Sequence, residues 1–435
     1  MRRRHFLQLL AASPAPPNVI LAMADDQGWG DTSYNGNHIL STPNLDAMAK
    51  AAIRFDRFYS GAAVCSPTRG SALTGRHPFR YGIFFANADG GTDSPSKYPL
   101  PAREQTLPEF LKPLGYSTGH FGKWHLGDFA GPMRSAPTDN GFDEFFSTTR
   151  KVTTVNPESY WTHNGPVPAA QLEGDDSRIL MDAAVSFIER AAQAGKPFFA
   201  VIWFHAPHEP VAATERHRAP YTQYPSKPEN YYGAIASLDE QMGRLRETLR
   251  YLKIERNTML WYASDNGPEG DRQSAAWPGN AGPFRGRKRS LFEGGIRVPA
   301  LLEWPARYSS PKVIRAAAST SDYLPTILSA LNQPLPKELD GINLLPILDG
   351  KRLRRQSPLA FETINDSRGS PKLGWIEDRW KLLTNLDGKE EMLFDLDADP
   401  EEANNLAGSQ PRIASSLRAK LERWRASCAR SRQGL

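Results

Sequence analysis

The sequence predicts an α/β fold in which helices flank a large, mostly parallel central sheet. Several apolar runs are continuous rather than alternating, which fits strands that are buried on both faces. Amphipathic helical patterns lie between these runs, and this alternation is typical of a parallel sheet covered by helices. The predicted strands comprise residues 19–23, 198–204, 259–263 and 298–304.

The first three predicted strands end in side chains that can bind a metal or transfer a proton. Ligands of open α/β sheets bind beyond the carboxyl ends of the strands, so we expect these side chains to share one site. In chain order they are Asp25 and Asp26, His205 and His208, and Asp265 and Asn266.

Four amphipathic helices are predicted between the strands, and capping and turn residues mark their ends. Thr42 and Pro43 supply the N-cap and the first residue of the first helix. The second helix begins near Thr106 and ends at Gly115. The third and fourth helices have their apolar positions at 179–191 and 235–249.

The chain changes character after about residue 352. Short strands followed by one helix are typical of a small α+β domain with an antiparallel sheet. The strands are expected at 374–376, 380–383 and 391–396, and the helix near 413–424. A chain of 435 residues is long enough for one large and one smaller domain. We therefore assign residues 1–17 to an N-terminal segment, 18–352 to a catalytic domain and 353–435 to a C-terminal subdomain.

The composition excludes several classes of protein. The formal net charge is only +5 and the basic residues are mostly dispersed, so we expect no nucleic-acid partner. No stretch is long and apolar enough to cross a bilayer. The chain has two cysteines, Cys65 and Cys428, so it has no disulfide framework, although the two could pair with each other. The oligomeric state is not predicted.

The N-terminus has features of an export signal. Residues 3–8, Arg-Arg-His-Phe-Leu-Gln, resemble a twin-arginine signal, and an apolar stretch begins at Leu9. That stretch is short because Pro14 follows it. The segment is either an abbreviated export signal or a chance basic start. We predict export to the periplasm or the extracellular space, with the cytoplasm as the alternative.

The polar pairs after the first and third strands predict a metal site. Three carboxylates and one amide suit a hard divalent cation such as calcium better than a transition metal. Asp and Asn are also ordinary turn residues, and either pair alone would be explained that way. Adjacent acids after a buried strand, however, need a cation or strong donors to hold their like charges together. The expected ligands are Asp25, Asp26, Asp265 and Asn266.

The sharpest pattern is Cys-Ser-Pro-Thr-Arg at residues 65–69, continued by Leu-Thr-Gly-Arg at 73–76. It resembles the sulfatase signature Cys-x-Pro-x-Arg. In that family a separate maturation enzyme oxidises the cysteine to formylglycine, so the resemblance implies such an enzyme as a partner. Pro67 can begin a helix that places residue 65 near a positive N-terminus. The alternatives for Cys65 are an inert buried thiol and a bridge to Cys428.

Further segments resemble sulfatase motifs in the family's order, over most of residues 18–400. The resemblance is closest to the arylsulfatase A and N-acetylgalactosamine-6-sulfatase branch, and it implies an alkaline-phosphatase-like fold. It carries over Lys123, His125, His208 and Lys288 as site residues. The matching segments are 18–28, 115–127, 206–210, 264–267 and 286–299.

The resemblance implies hydrolysis of sulfate esters. A hydrated formylglycine offers two hydroxyl groups: one attacks sulfur, and the other lets the sulfated intermediate collapse and release sulfate. The implied ligands of one calcium ion per chain are Asp25, Asp26, Asp265, Asn266 and an oxygen of the modified Cys65. The remaining implied roles are charge neutralisation by Arg69 and Lys123, proton acceptance by Asp265, base catalysis of the collapse by His125, and assistance to the leaving alcohol by His208 and Lys288.

Each of these residues also has an ordinary explanation when it is considered alone. A single histidine in a loop is more often structural, and a single lysine usually lies at the surface. We expect His120 to be structural because it matches no catalytic position of the family. Within its motif His208, and not His205, takes the family's position.

Two other functions are left open. The chain could hydrolyse phosphate or phosphonate monoesters, as some relatives with the same modified cysteine do, although a second set of metal-binding residues is not found. It could also be a binding or scaffold protein, although every expected catalytic position holds a competent residue. The substrate that the resemblance implies is an aryl sulfate or a sulfated carbohydrate. Aromatic residues within 81–98, 150–167 and 269–287 either stack on a sugar or pack the loops.

Overall fold

The computed structural model describes residues 15–86, 99–224, 228–270, 278–364 and 370–434. Its strands are β1 (Asn18–Ala24), β2 (Ile53–Phe55), β3 (Phe58–Tyr59), β4 (Ser117–Lys123), β5 (Glu144–Thr148), β6 (Trp161–Thr162), β7 (Gly165–Pro166), β8 (Phe198–Trp203), β9 (Thr258–Ser264), β10 (Ala300–Glu303), β11 (Lys312–Ile314), β12 (Ala318–Ser319), β13 (Leu359–Glu362), β14 (Leu373–Glu377), β15 (Trp380–Thr384) and β16 (Glu391–Asp395). Its α-helices are α1 (Pro43–Ala51), α2 (Cys65–Thr74), α3 (Leu107–Leu111), α4 (Asp176–Gln193), α5 (Glu215–Arg218), α6 (Glu229–Tyr251), α7 (Glu293–Ile296), α8 (Tyr323–Ala330), α9 (Leu345–Leu348) and α10 (Pro411–Gln433).

A ten-stranded sheet forms the centre of the molecule, in the order β11-β2-β10-β9-β1-β8-β4-β5-β6-β7. Its five middle strands, from β9 to β5, are parallel. This architecture confirms the predicted α/β class. Because β1 pairs Ala24 with Ser264 of β9 and Met23 with Trp203 of β8, the polar residues that follow these three strands meet at one edge.

Two parts of the sheet differ from the prediction. The apolar run at 298–304 forms β10, but this strand is antiparallel to β9. An apolar run indicates burial and carries no information about strand direction. β4 is as buried as its neighbours, yet the hydrophobic pattern does not predict it because the strand contains glycine, histidine and lysine.

All four predicted helices form. α4 and α6 cover the expected apolar positions. α1 ends at Ala51, before the last two apolar residues expected in it, Ala52 and Ile53, and Ile53 begins β2. The helix after Thr106 is shorter than predicted, because α3 ends at Leu111 and a 3-10 turn continues to Leu114. Pro113 has no N–H with which to extend the α-helical hydrogen bonds. Gly115 then closes the segment with a φ of +86°.

Apolar side chains pack on both faces of the central sheet. Along β1, Val19 and Leu21 point into one cluster, and Ile20 and Ala22 point into the other. Residues of α4 and α6 cover the second face. Because both faces are covered, both alternating sets of side chains in these strands are apolar.

The C-terminal region contains a four-stranded antiparallel sheet, β13 to β16 in sequence order. Its last three strands and α10 confirm the predicted α+β pattern. One face of the sheet packs against α10, and the other packs against Leu291, Phe292 and Ile296. Cys428 is buried within α10, and it and Cys65 are both free thiols. The alternative of a bridge between them is therefore wrong.

None of the helices in the described ranges combines the length and apolarity that a membrane crossing requires. The predicted export signal falls mostly on residues 1–14, which lie outside the described residues. Export therefore stays a prediction.

Candidate active site

The metal-binding side chains predicted after β1 and β9 lie side by side. The backbone N–H of Asp265 donates to the carbonyl of Ala24 at 3.1 Å. The N–H of Asp26 donates to Asp265 Oδ1 at 3.1 Å, and Asn266 Nδ2 donates to Asp26 Oδ1 at 2.7 Å. Asp26 has a φ of +66°, so the chain turns sharply here and points both acids toward the same site.

Three buried cations face the three carboxylates. Lys123 Nζ lies 2.6 Å from Asp25 Oδ2. The other two ion pairs, also at 2.6 Å, join Arg69 Nη2 to Asp265 Oδ2 and Lys288 Nζ to Asp26 Oδ2. All six side chains are buried. With all six groups ionised, the cluster is electrically balanced before any metal is added, and charge-assisted hydrogen bonds hold it together.

The carboxylates of this cluster differ in proton affinity. Burial, reinforced by the charge of Asp25, raises the pKa of Asp265 to about 7. Burial also acts to raise the pKa of Asp25, but Lys123 and other cations outweigh it and hold that pKa well below its ordinary value. Asp265 is thus the carboxylate of this pair that accepts a proton near neutral pH.

The donor set fits a divalent cation. Asp25 Oδ1 and Asn266 Oδ1 are buried and have no hydrogen-bond partner among the described residues. Ligand atoms of Asp25, Asp26, Cys65 and His208 lie within 4.8 Å of one another. Oxygen donors favour calcium, whereas a thiol favours softer metals. Replacing the Cys65 thiol by a hydrated aldehyde would make this ligand an oxygen donor as well.

Cys65 is the first residue of α2, a position that favours negative charge. Its side chain is buried, and this burial raises the pKa of the thiol to about 12 against the opposing charges of Lys123 and Lys288. The unmodified cysteine is therefore protonated and a poor nucleophile at neutral pH.

The two predicted catalytic histidines approach the cluster from different strands. His125 follows β4 with a φ of +57°, and Ser66 Oγ donates to its carbonyl at 2.6 Å. Burial, with the charges of Lys123 and Arg69, lowers the pKa of His125 well below its ordinary value. Its ring is therefore neutral at pH 7. Its Nδ1 is buried without a hydrogen-bond partner within the described part of the chain.

His208 follows β8, and its Nε2 lies 3.6 Å from Asp26 Oδ2. Burial, together with the charge of Lys288, lowers the pKa of His208 to about 4. Its Nδ1 contacts the carbonyl of Glu209, so Nδ1 carries the proton of the neutral ring and Nε2 is an acceptor. Burial acts to lower the pKa of Lys288, but Asp26 outweighs it and raises that pKa. Of these two side chains, Lys288 is the hydrogen-bond donor.

The structure brings the ten predicted site residues into one cluster, in which His208 is half-buried and the other nine are buried. Glu269 lies beside this cluster, although the sequence does not predict it as a site residue. It pairs with Arg289, and its Oε2 lies 3.6 Å from Lys288 Nζ. Its only sequence signal is an acid three residues after Asn266. The ten predicted residues are Asp25, Asp26, Cys65, Arg69, Lys123, His125, His208, Asp265, Asn266 and Lys288.

Some of the aromatic residues proposed to line the substrate pocket pack the protein instead. Tyr160 is fully buried and donates to Asp176 at 2.7 Å. Phe84 packs against Phe79 with ring centroids 4.4 Å apart. These contacts favour the loop-packing explanation for both residues. Trp277 lies outside the described residues.

The sulfatase family model matches residues 17–333, and a model of the C-terminal part of N-sulphoglucosamine sulphohydrolase matches residues 279–427. N-acetylgalactosamine-6-sulfatase of Homo sapiens is 34% identical over 366 residues, which cover 79% of this chain and 68% of that protein.

Solved structures share the fold. The crystal structure of Ps i-CgsB matches with a TM-score of 0.85 and 25% identity, over 95% of this chain and 93% of that one. The phosphonate monoester hydrolase of Agrobacterium radiobacter matches with a TM-score of 0.65 and 20% identity, over 95% and 96% of the two chains. The second likeness shows the fold alone. The sulfatase family model covers well over half of the sequence and the human enzyme is similar along most of it, so this chain belongs to the sulfatase family.

Proposed function

We propose that this sulfatase hydrolyses sulfate monoesters of carbohydrates through a formylglycine formed from Cys65, with one bound calcium ion. One observation carries the proposal: Cys65 begins a helix, and its Sγ lies within 4.8 Å of ligand atoms of Asp25 and Asp26. Three buried cations surround this position. A divalent ion added to this balanced cluster would give it a net positive charge, which favours an anionic ester.

The chain's own side chains would hold the ester and move protons around residue 65. When present, the aldehyde hydrate supplies the attacking hydroxyl, and calcium supplies positive charge to the sulfate oxygens. Asp265, whose Oδ2 is bonded to Arg69, would accept a proton from the attacking hydroxyl. Neutral His125 is suited to act as a base. Lys288 is suited to donate to the leaving oxygen, with His208 beside it. Overall, one water is consumed and an alcohol and sulfate are released.

The substrate class rests on similarity. The human relative is named for the 6-sulfate of N-acetylgalactosamine, a sulfated sugar. Aryl sulfates are the other proposed class. A phosphate or phosphonate monoester is a second candidate because the phosphonate hydrolase shares the fold. The described residues present one cluster of metal-binding groups, Asp25, Asp26, Cys65 and His208, which favours the sulfate reaction over two-metal phosphatase chemistry.

A substrate panel tests the proposed reaction. Protein produced together with a formylglycine-generating enzyme is incubated with an aryl sulfate, 6-sulfated N-acetylhexosamines, an aryl phosphate and an aryl phosphonate. We expect a sulfate ester to have the highest kcat/KM, and a sulfated sugar to exceed the aryl sulfate. Faster cleavage of a phosphorus ester than of every sulfate would overturn the proposed function.

Calcium binding has an expected effect on stability. At a calcium concentration about 100 times its Kd, folding should gain about 2.7 kcal/mol, because the ion binds the folded chain only. The Asp26→Asn variant should lose this calcium-dependent rise in melting temperature. The exposed Asp387, whose side chain is 55% accessible, provides the control Asp387→Asn, which should keep it. An equal rise in both variants, or none in the wild type, would contradict the proposed site.

A further inference from the structure

A fully buried histidine outside the catalytic cluster is bonded at both ring nitrogens. His205 Nδ1 lies 3.0 Å from Asp176 Oδ2, and His205 Nε2 lies 2.7 Å from Thr148 Oγ1. Tyr160 donates its hydroxyl to Asp176 Oδ1 at 2.7 Å. His205 and Asp176 are 0% exposed. The family resemblance assigns His205 no catalytic role, and His205 takes no part in the proposed reaction.

The direction of the hydrogen bonds follows from counting protons. The Thr148 hydroxyl has one proton, which it donates to the carbonyl of Arg150 at 2.6 Å. Its oxygen must therefore accept from His205 Nε2–H. The opposite ring nitrogen, Nδ1, faces the Asp176 carboxylate in the first turn of α4, and the hydrogen bond between them needs a second proton, which the ring and the carboxylate share. The imidazole is thus fixed at both ends and has one available orientation.

Hydrogen bonds connect the His205 ring, through the end of β5, to the segment that carries His125. Thr148 is the last residue of β5, and its carbonyl accepts the N–H of Trp124 at 2.9 Å. The next carbonyl, that of Thr149, accepts the N–H of His125 at 3.1 Å. These backbone bonds hold the segment that carries His125 against the end of β5, and the bond from His205 fixes the end of β5 in turn.

Backbone hydrogen bonds connect His205 and the next residue to His208 and to the proposed metal ligand Asp25. The carbonyl of His205 accepts the N–H of His208 at 2.8 Å, and the carbonyl of Ala206 accepts the N–H of Asp25 at 3.1 Å. One side chain thus joins the loops after β8 and β5, and through them the segments that carry both proposed catalytic histidines.

His125 has a φ of +57°, in the sparsely populated left-handed region. A residue in that region keeps its conformation only when its surroundings determine it. We propose that His205, clamped by Asp176, is a positioning residue that fixes His125 relative to His208. This inference rests on the proposed function for its consequence in catalysis. The juxtaposition itself rests on the hydrogen bonds of the buried ring.

Thr148→Val tests the inference, because it removes one hydroxyl and nearly keeps the shape of the side chain. A displacement of about 1 Å at the site costs up to about 100-fold in rate, so we expect kcat to fall about 10- to 100-fold while KM changes less than about threefold. Thr148→Ser keeps the hydroxyl and should restore most of the activity.

A matched control is Thr326→Val in α8. Thr326 is also fully buried, and its hydroxyl accepts the N–H of Leu344 at 2.9 Å. This variant should lose stability without loss of kcat. The inference is overturned if Thr148→Val lowers kcat no more than Thr326→Val does, or if Thr148→Ser is as damaging as Thr148→Val.

Histidine ring ¹⁵N NMR provides a second readout that does not depend on turnover. Thr148→Val should shift the ring signals of His125 and His208 as well as that of His205, and Thr326→Val should shift none of them. Changes confined to His205 would overturn the positioning role. A wild-type protein that cleaves no ester would overturn the proposed function, and the NMR result would still decide whether His205 couples the two loops.

Discussion

Replacement of Cys65 by alanine is expected to abolish sulfate release while the protein stays folded. Removal of a covalent nucleophile lowers kcat by about 10⁴-fold or more. The change is small in volume, since alanine lacks only the sulfur atom. Sulfate release should be measured alongside the melting temperature, so that lost chemistry is distinguished from lost structure.

Cys428→Ala is the matched control for this prediction. Cys428 is the second buried free thiol and lies in α10. We expect this variant to keep its activity. Comparable activity in the Cys65→Ala and Cys428→Ala variants would contradict the role of residue 65. The position is informative because burial raises the pKa of the unmodified thiol to about 12, which makes unmodified cysteine a poor explanation for any activity.

Replacement of Lys381 by methionine is expected to cause a large loss of stability. Lys381 is fully buried, and its Nζ lies 2.9 Å from Glu293 Oε1 and 2.8 Å from Glu402 Oε1. Without the lysine, two carboxylates would be buried next to each other. Removing one partner of a buried ion pair costs about 3–5 kcal/mol, and we expect the free energy of unfolding to fall by that amount.

The ion cluster also connects the C-terminal sheet to the site. Lys381 lies in β15, whereas Glu293 begins α7, just after the loop that carries Lys288. Burial, reinforced by Glu293, raises the pKa of Glu402 to about 7 even with the lysine present. Removing Lys381 also removes the charge that lowers this pKa, so the pKa of Glu402 should rise further in the variant and the carboxyl should be protonated near neutral pH. The loss of stability should therefore grow as the pH rises, and unfolding is best measured at several pH values from neutral upward.

Lys420→Met is the control for Lys381→Met, with unfolding followed in denaturant. Lys420 pairs with Glu377 at 2.6 Å, but both side chains are 36% exposed. An exposed pair contributes about 0–1 kcal/mol. A loss in Lys381→Met no greater than that in Lys420→Met would show that the buried cluster does not stabilise the fold.

The sequence predicts those strands and helices whose local hydrophobic pattern fits only one kind of secondary structure. β1, β8 and β9 are continuous apolar runs because both faces of the central sheet are covered. β4 does not show this apolar pattern because it contains glycine, histidine and lysine. The direction of β10 depends on its neighbours in the sheet and has no local signal.

The candidate site also contains residues that the sequence predicts and residues that it does not predict. The metal-binding pairs after β1 and β9 follow from the strand ends alone. Lys123 and His125 follow β4, which the hydrophobic pattern misses, so only their family motif predicts them. The roles of His205 and Glu269 depend on contacts between residues far apart in the chain, such as that between His205 and Asp176. Those distances become visible only in the folded structure.

Mass spectrometry of the peptide that contains Cys65 shows directly whether this residue becomes formylglycine. The protein should be produced together with a formylglycine-generating enzyme and treated with a hydroxylamine probe that reacts with aldehydes. We expect an aldehyde at position 65, labelled by the probe, in a proportion that rises with the specific activity toward sulfate esters. A thiol that persists at position 65 in protein that still releases sulfate would contradict it.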